Sequence, residues 1–247
     1  MDWRTWRHAV KIDPARPLPA SAIAGLAATG TDALILGGSD GIRRSDVERL
    51  LDAARSTGLP VAIEVSDLEA AVPGADLYFI PMVLNTRDPR WLVGAHREAL
   101  QRLGPYLPWE RVVTEAYIVC NPVSTVARVS AAAVPASAEE VAAWAAVGDR
   151  LLRAGIVYIE YSGRFGDPAW VRAAAEVVRG ARLFYGGGIT GAQQAATMAA
   201  IADTVVVGNV LYRADGLRRI RQTVRAVRDV RAEHRGGERF VAGDGLS

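Results

Sequence analysis

The sequence contains one cysteine and one lysine, and each scarcity limits what the protein can be. The single Cys120 excludes an intrachain disulfide and a cysteine metal cluster, and it suits a reducing cytosol. Lys11 is the only lysine among 29 basic residues. A single lysine among arginines is either due to chance or indicates a position that needs a compact ammonium and does not tolerate a planar guanidinium. The place of Lys11 in the fold decides between the two.

The sequence also lacks a long apolar run and an excess of charge. No apolar stretch approaches the ~18–20 residues of a membrane-spanning helix, and the amino terminus MDWRTWRHAV has no apolar signal core. The formal net charge is only +2, and the basic residues are scattered rather than gathered into a stripe that binds nucleic acid. We therefore expect a soluble, cytoplasmic protein that neither spans a membrane nor binds nucleic acid.

Alternating strand and helix signals fill the chain of 247 residues, half of which are hydrophobic. The predicted strands are His8–Asp13, Ala33–Gly38, Val61–Ser66, Leu77–Leu84, Val113–Cys120, Ile156–Ser162, Leu183–Tyr185 and Thr204–Val207. The predicted helices are Pro19–Thr29, Arg44–Thr57, Arg90–Leu103, Ala138–Ala154, Pro168–Arg179, Gly191–Ala200 and Leu217–Arg231. Such near-continuous apolar strands are typical of a buried parallel sheet. The pattern predicts the α/β class, with a (β/α)₈ TIM barrel over residues 1–232 and a disordered tail over residues 233–247.

The third helix of the predicted barrel is missing or vestigial. Only about ten residues separate the third and fourth strands, which is too few for a crossover helix. We therefore expect an opening in the outer layer of helices between these two strands.

Two glycine turns follow the last two predicted strands, at Gly186–Gly188 and at Gly208-Asn209. In a barrel of this kind both turns lie at the carboxyl ends of the strands, where a phosphate is often bound. Glycine lets backbone N–H groups approach an anion without an intervening Cβ. Tight turns also use glycine for backbone reasons alone, but two such turns one βα unit apart favour a phosphate site.

Polar residues at the other strand ends identify the candidate chemistry, because the carboxyl ends of the strands carry the active site of such barrels. Lys11 and Asp13 flank Ile12, so both side chains face the barrel mouth. Asp13 and Ser39 form either an oxygen-only Mg²⁺ site or a structural turn. A functional role for Glu160 is favoured over a structural ion pair, because a buried carboxylate is costly unless it is used or paired. Glu64 and Glu115 are interpreted as structural or supporting partners.

Six segments together resemble the geranylgeranylglyceryl phosphate and heptaprenylglyceryl phosphate synthases, a family of prenyltransferases on a modified TIM barrel. The segments are WRHAVKIDP (Trp6–Pro14), GTDALILGGSDG (Gly30–Gly41), PGADLYFIPMVLN (Pro73–Asn85), YIEYSG (Tyr158–Gly163), LFYGGGI (Leu183–Ile189) and VVVGN (Val205–Asn209). They run in order over nearly the whole chain. The bacterial, long-chain branch of the family is the more similar, judging by the PGADLYFIPMVLNTRDPRWLVGAH stretch.

The resemblance implies two substrates, sn-glycerol 1-phosphate and a polyprenyl diphosphate, and a homodimer. Mg²⁺ on Asp13 and Ser39 would grip the diphosphate, and Glu160 would orient the glycerol 3-hydroxyl or accept its proton. Lys11 would reach the glycerol phosphate. The residues implied for the phosphate and glycerol are Gly188, Gly208, Asn209, Tyr158, Ile159, Glu160, Tyr161, Ser162 and Gly163.

The length of the prenyl donor is expected to depend on Ala99. Trp91, Ala95 and Ala99 fall on one stripe of the predicted helix, beside the expected opening. Short-chain members of the family block their groove with a bulky aromatic near this helix, so an alanine here implies a donor of about seven isoprene units. Alternatively, Ala99 merely packs against the barrel. Other open functions are a sugar-phosphate isomerase, epimerase or aldolase, and a non-catalytic barrel scaffold.

Overall fold

Eight parallel strands close into a barrel in this computed structural model, which describes residues 2–230. Each strand pairs with the next along the chain, and the eighth pairs with the first. The strands are β1 (His8–Ile12), β2 (Ala33–Leu36), β3 (Val61–Glu64), β4 (Leu77–Val83), β5 (Val112–Val119), β6 (Ile156–Glu160), β7 (Arg182–Gly186) and β8 (Thr204–Val207). The helices are α1 (Ala20–Gly25), α2 (Arg44–Arg55), α3 (Gly94–Leu103), α4 (Thr125–Val129), α5 (Ala138–Ala146), α6 (Pro168–Val177), α7 (Ala192–Ala199) and α8 (Gly216–Asp229). The predicted (β/α)₈ barrel is confirmed, whereas the predicted disordered tail lies outside the described residues.

The expected gap in the helical layer is present between β3 and β4. A single 3₁₀ turn, Leu68–Ala70, stands where a crossover helix would lie. The outward-facing residues Tyr78, Ile80 and Met82 of β4 are consequently only half-buried, while Phe79 points inward and is fully buried. The uncovered outer face of β4 is therefore available to another apolar partner.

Three predicted helices are shorter than the sequence pattern indicated. The helix predicted over Pro19–Thr29 is α-helical only over Ala20–Gly25 and continues as a 3₁₀ turn to Ala28. The helix predicted over Arg90–Leu103 begins as a 3₁₀ turn and becomes α3 only at Gly94, because Val93 leaves the helical conformation with φ −144°. The helix predicted to reach Ala154 ends at Ala146 and continues as a π turn. Gly148 lies in this turn, where an added Cβ would come within 2.4 Å of the Ala116 Cβ on β5. The turn thus brings the backbone close against the barrel.

One short helix, α4, was not predicted. Ser124 caps it, and the serine Oγ accepts a hydrogen bond from the Ala127 N–H at 3.1 Å. This helix has only five residues and is stabilised by its cap and by burial of Val126 and Ala127. It is too short to show a helical periodicity in the sequence.

Aromatic side chains close the amino-terminal end of the barrel. Trp3, which precedes β1, meets Phe79 and Phe184 edge-to-face at centroid distances of 6.1 and 6.4 Å. Phe79 and Phe184 also contact each other at 6.2 Å. Because this end is filled, access to the barrel interior is from the carboxyl ends of the strands. Within residues 2–230, no helix is both long and apolar enough to cross a bilayer.

Candidate active site

Two neighbouring depressions open near the carboxyl ends of the strands, and Gly38 and Ser39 line both of them. The first, the polar cavity, has a volume of about 120 Å³. The second, the apolar groove, has a volume of about 690 Å³ and runs along the outer face of β4. A small charged group and a long apolar group can therefore be held side by side. The polar cavity is lined by Lys11, Asp13, Arg16, Gly37, Gly38, Ser39, Tyr158, Ser162, Gly163, Gly186, Gly187, Gly188, Ile189, Val206, Gly208, Asn209 and Tyr212.

Both predicted glycine turns line the polar cavity. Gly187 and Gly188 have φ values of +146° and +60°, which L side chains rarely adopt. A Cβ on Gly188 would also lie 2.0 Å from the backbone nitrogen of Phe165. These glycines are required by the backbone, and the turn they form leaves one wall of the cavity without side chains. Gly208 and Asn209 contribute to the same cavity, so the residues predicted to bind phosphate are brought together.

Arg16 and Tyr212 also line the polar cavity, and neither was predicted from the sequence. The Arg16 guanidinium lies 3.7 Å from the centre of the Tyr212 ring and donates a hydrogen bond to Asn209 Oδ1 at 2.7 Å. The Tyr212 hydroxyl in turn accepts a hydrogen bond from the Asp13 N–H at 3.0 Å. Arg16 was detectable as a cation three residues beyond Asp13, in a loop at the active end of the barrel. Tyr212 carried no such signal.

Lys11 projects from β1 into the polar cavity, where a carboxylate and two aromatic rings surround it. Its Nζ donates to both oxygens of Glu64, at 2.7 and 2.9 Å, and lies 3.4 Å from the Tyr117 hydroxyl. Burial lowers the pKa of Lys11, but Glu64 and Glu160 outweigh it and the net direction is upward. Lys11 is therefore a fixed ammonium. The ring centres of Tyr117 and Tyr158 lie 5.8 and 5.7 Å from its nitrogen.

Glu160, the last residue of β6, is buried and held in one orientation. Its Oε2 accepts a hydrogen bond from the Tyr117 hydroxyl at 2.8 Å, and its Oε1 accepts one from the Ser162 N–H. Burial raises the pKa of Glu160, although the Lys11 ammonium opposes this. The carboxylate consequently has a higher proton affinity than one in water. Tyr158 and Ser162, its neighbours on the same face, line the polar cavity, whereas Glu160 itself is 1% exposed and lines neither depression.

The side chains of Ile159 and Tyr161 point away from this cavity. Ile159 packs in the core between the barrel and the helices, and Tyr161 lies 6.3 Å from the Trp170 ring of α6. Strand alternation places them on the outer face of the barrel, opposite to Tyr158 and Glu160. Of the predicted glycerol-binding segment, only Tyr158, Ser162 and Gly163 line the polar cavity.

Glu115 lies on β5 inside the barrel and is fully buried. Neither of its carboxylate oxygens has a hydrogen-bond partner among the described residues. Burial, reinforced by Glu64 and Glu160, raises the pKa of Glu115 well above its usual 4.5, although Lys11 opposes the change. The Glu115 carboxylate therefore has a much higher proton affinity than a carboxylate in water.

Replacing Glu115 is expected to change how stability depends on pH. The folded protein holds a proton on Glu115 that the unfolded chain releases above about pH 4.5, so stability falls as pH rises through the window up to the raised pKa. The slope contributed by one group is at most about 1.4 kcal/mol per pH unit. Urea unfolding of wild type and Glu115→Met at several pH values measures it. Equal slopes in the two proteins would contradict this account.

Asp13 and Ser39 face the same space and fit a partial Mg²⁺ site. A Cβ on Gly38 would lie 2.5 Å from Asp13 Oδ1, so this glycine lets the carboxylate pack against the turn that carries Ser39. The same Oδ1 accepts the Ala15 N–H at 2.9 Å, as a structural turn requires, and Oδ2 is left for a cation. Among the described residues, no three His, Cys, Asp or Glu side chains are placed to hold a metal. Mg²⁺ here would complete its shell with water and substrate phosphate oxygens.

The apolar groove passes between β4 and α3. Its floor is the uncovered face of β4, and α3 with the turn before it contributes Trp91, Ala95 and Ala99, as the predicted stripe requires. Ala99 presents only a methyl group to the groove. A larger side chain at this position would reduce the space directly, so the geometry accommodates the predicted role of Ala99 in donor length.

The sequence of this chain is similar to those of known proteins. The sequence pattern of the PcrB family matches residues 1–229. The chain is 49% identical to the geranylgeranylglyceryl phosphate synthase of Methanoculleus marisnigri over 228 residues, covering 92% of this chain and 98% of that protein. It is 45% identical, with the same coverage, to the heptaprenylglyceryl phosphate synthase of Brevibacillus brevis. These two relatives differ in the length of the prenyl chain in their names, so their identities do not choose a length.

The fold agrees with a solved structure as well. The (S)-3-O-geranylgeranylglyceryl phosphate synthase of Thermoplasma acidophilum, in complex with its substrate sn-glycerol-1-phosphate, superimposes with a TM-score of 0.82 at 24% identity. The match covers 91% of this chain and 94% of that one, and it shows the barrel fold. On the family pattern over almost the full length, and on relatives above 40% identity, this chain belongs to the PcrB family.

Proposed function

We propose that this protein joins a long-chain polyprenyl diphosphate, with heptaprenyl diphosphate as the expected donor, to the 3-hydroxyl of sn-glycerol 1-phosphate. The observation that carries the proposal is the meeting of the polar cavity and the apolar groove at Gly38 and Ser39. A transferase of this class must hold a charged acceptor and an apolar donor with their reacting ends together. The products are a prenylglyceryl phosphate ether and diphosphate. We further propose that the enzyme is a cytoplasmic homodimer.

The acceptor occupies the polar cavity in this proposal. Its phosphate lies against Gly188, Gly208 and Asn209, where backbone groups and the Arg16 guanidinium favour an anion. Its glycerol hydroxyls face Tyr158 and the Ser162-Gly163 turn. The Tyr158 hydroxyl lies so close to Gly186 that a Cβ there would come within 2.0 Å of it. Because this wall is chiral and lies beside the glycerol hydroxyls, we expect sn-glycerol 1-phosphate to bind in preference to its enantiomer, sn-glycerol 3-phosphate.

The donor spans both depressions. Its diphosphate lies by Asp13 and Ser39, and its tail follows the outer face of β4 along the apolar groove. Mg²⁺, when bound, supplies positive charge that stabilises the departing diphosphate. The Lys11 ammonium adds a second, fixed positive charge within the same polar cavity, and its pairing with Glu64 prevents it from moving.

The chain's own residues complete the transfer. The allylic C–O bond of the donor breaks, diphosphate leaves with the bonding electrons, and the glycerol 3-oxygen bonds to the allylic carbon. The hydroxyl proton passes to the Glu160 carboxylate, whose raised pKa makes it a better acceptor than an exposed one. Tyr117 and the Ser162 N–H fix the two oxygens of that carboxylate. The Glu160 carboxylate and the Lys11 ammonium are therefore fixed in position before the substrates bind.

Two alternatives are separated from this proposal by one experiment. In separate reactions with Mg²⁺, the protein is incubated with either enantiomer of glycerol phosphate and a ladder of prenyl diphosphates, or with sugar phosphates alone, and the products are identified by mass spectrometry. The expected result is an ether with long donors and little product from sn-glycerol 3-phosphate. Turnover of sugar phosphates without any ether would favour an isomerase, epimerase or aldolase. Absence of turnover with every substrate would favour a non-catalytic scaffold.

Asp13→Asn is expected to reduce turnover by about 10²–10³ and to raise the Mg²⁺ concentration needed for half-maximal rate. The amide keeps the shape of the carboxylate and its turn with Ala15 but removes the charge. The matched control is Asp40→Asn, because Asp40 is an exposed carboxylate next to Ser39 that pairs with Arg128 at 3.2 Å. A Mg²⁺ titration of both variants makes the comparison. An equal Mg²⁺ response in Asp13→Asn and wild type would assign Asp13 to the turn alone.

Ala99→Trp is expected to lower kcat/KM for heptaprenyl diphosphate by more than about tenfold and to spare geranylgeranyl diphosphate. An indole in the groove excludes several methylenes of the longer tail, and each buried CH₂ contributes roughly 0.8 kcal/mol. Gln101→Trp is the control, because Gln101 is exposed on α3 and does not line the groove. Full activity of Ala99→Trp on the long donor would show that Ala99 does not limit chain length.

A further inference from the structure

We propose that the outer rim of the apolar groove docks onto the surface of an anionic lipid bilayer, from which the prenyl donor enters the groove. The docking rim consists of Val93, Leu100, Tyr106 and Trp109. The inference rests on the proposed function, since it is the apolar tail of that donor that a bilayer would hold. It concerns attachment to the surface of a membrane and involves no spanning segment.

The docking rim gathers exposed apolar side chains at one place. Tyr106 is 82% exposed, Trp109 57%, Val93 52% and Leu100 42%, and all four line the apolar groove. Only three other large apolar side chains of the described residues are this exposed. Exposed apolar groups in one contiguous patch indicate an interaction surface, whereas scattered ones do not.

The kinds of side chain in the docking rim match a lipid interface. Tyr106 and Trp109 lie on two 3₁₀ turns of the connection between α3 and β5, which carries no longer element of its own. Their rings combine an apolar body with a polar edge, and such rings are enriched at the boundary between hydrocarbon and head groups. A groove that opens among them can take up an apolar chain without passing it through water.

The charge around the docking rim favours an anionic partner. Residues 87–111 contain five arginines and three acidic residues, a net charge of +2. Asp88 caps the 3₁₀ turn Pro89–Trp91, and the two glutamates form only exposed pairs, Glu98 with Arg90 at 3.4 Å and with Arg97 at 3.6 Å, and Glu110 with Arg111 at 3.7 Å. Such pairs contribute little, so the guanidinium groups are free to exchange carboxylates for lipid phosphates.

The same charge argues against a second copy of the chain as the occupant. A two-fold contact brings two copies of the same surface patch together, so a segment of net charge +2 would meet its own like charge. A bilayer rich in phosphatidylglycerol presents the opposite charge and an apolar interior. It therefore fits both the arginines and the aromatic side chains.

The first test is flotation of the full-length protein with vesicles, in the absence of substrates. Wild type should float with vesicles made of equal parts phosphatidylglycerol and phosphatidylcholine and much less with phosphatidylcholine alone. The double variant Tyr106→Asp/Trp109→Asp should lose about tenfold or more of this binding, because two large apolar groups are replaced by anions. The matched control is Val123→Asp/Leu151→Asp, whose side chains are 84% and 76% exposed but do not line the groove.

Wild type that stays unbound, or a control variant that loses as much binding as the double variant, would overturn the proposal. A double variant that floats normally but changes its mass in sedimentation would identify the docking rim as a subunit interface. Circular dichroism of each variant establishes that it is folded, so that loss of binding is attributable to the surface.

The second test uses Arg97→Gln/Arg102→Gln, at exposed positions of α3 that do not line the groove. Each charge should contribute about fivefold to binding of anionic vesicles, and the difference from wild type should shrink as salt is added. Turnover of a donor embedded in vesicles should fall, while turnover of water-soluble geranyl diphosphate should not. Loss of both to the same extent would contradict membrane docking. If wild type forms no ether from either donor, the proposed function is wrong. The flotation experiment still decides whether the docking rim binds membranes.

Discussion

Glu160→Gln is expected to lower kcat by about 10²–10⁴ while leaving the KM for sn-glycerol 1-phosphate within a few-fold of wild type. Glutamine is isosteric with glutamate and still accepts the hydrogen bond from the Tyr117 hydroxyl or the Ser162 N–H. It does not accept a proton. The loss should therefore fall on the transfer step, which needs the hydroxyl proton to leave, and steady-state kinetics with the long donor measures it.

The pH dependence of kcat tests this prediction more strictly. Burial raises the pKa of Glu160 above 4.5, and only the carboxylate accepts a proton. Wild-type kcat should therefore fall as pH decreases through the raised pKa, and the residual rate of Glu160→Gln should lack this limb. Tyr117→Phe removes one hydrogen bond to the ionised form, so it should raise that pKa and move the limb to higher pH. A full limb in the Gln variant would assign the titration to another group.

Lys11→Met is expected to reduce kcat/KM by about 10²–10³ and to destabilise the fold by about 3 kcal/mol. Methionine has a similar shape but leaves the Glu64 carboxylate, which is 3% exposed, without its counterion. Wild-type Lys11 stays charged through neutral pH because its pKa is raised, so the effect should be present throughout that range. Urea unfolding and steady-state kinetics measure the two losses separately.

A double variant separates the two roles of Lys11. Lys11→Met/Glu64→Met removes both charges together, so stability should return to within about 1 kcal/mol of wild type while activity stays low. Recovery of activity along with stability would make Lys11 a structural residue only. Lys11→Arg keeps the charge but replaces a point donor with a planar fork between two tyrosine rings, and it should also impair catalysis. Wild-type kinetics for Lys11→Arg would mean that the isolation of Lys11 among arginines is chance.

The arrangement of the site was predictable to the extent that it follows from strand direction. In a parallel barrel every strand ends at the same face, so residues at strand ends converge whatever their separation in sequence. That rule placed Lys11, Asp13, Ser39 and the two glycine turns around one cavity, and the structure agrees. Their roles in binding and catalysis remain predictions. The rule does not extend to loops, and for this reason Arg16 and Tyr212 were missed.

The sequence alone determined the barrel, its order of strands and the gap between β3 and β4, because apolar periodicity and connection length are local properties. It also placed Lys11 and the two glycine turns together at the mouth of the barrel. The tertiary structure decided which partners those groups have. Tyr117 on β5 and Glu160 on β6 are 43 residues apart, and only barrel closure brings the hydroxyl 2.8 Å from the carboxylate. The pKa directions of Lys11, Glu115 and Glu160 depend on burial and on neighbours from other strands, which no local pattern encodes.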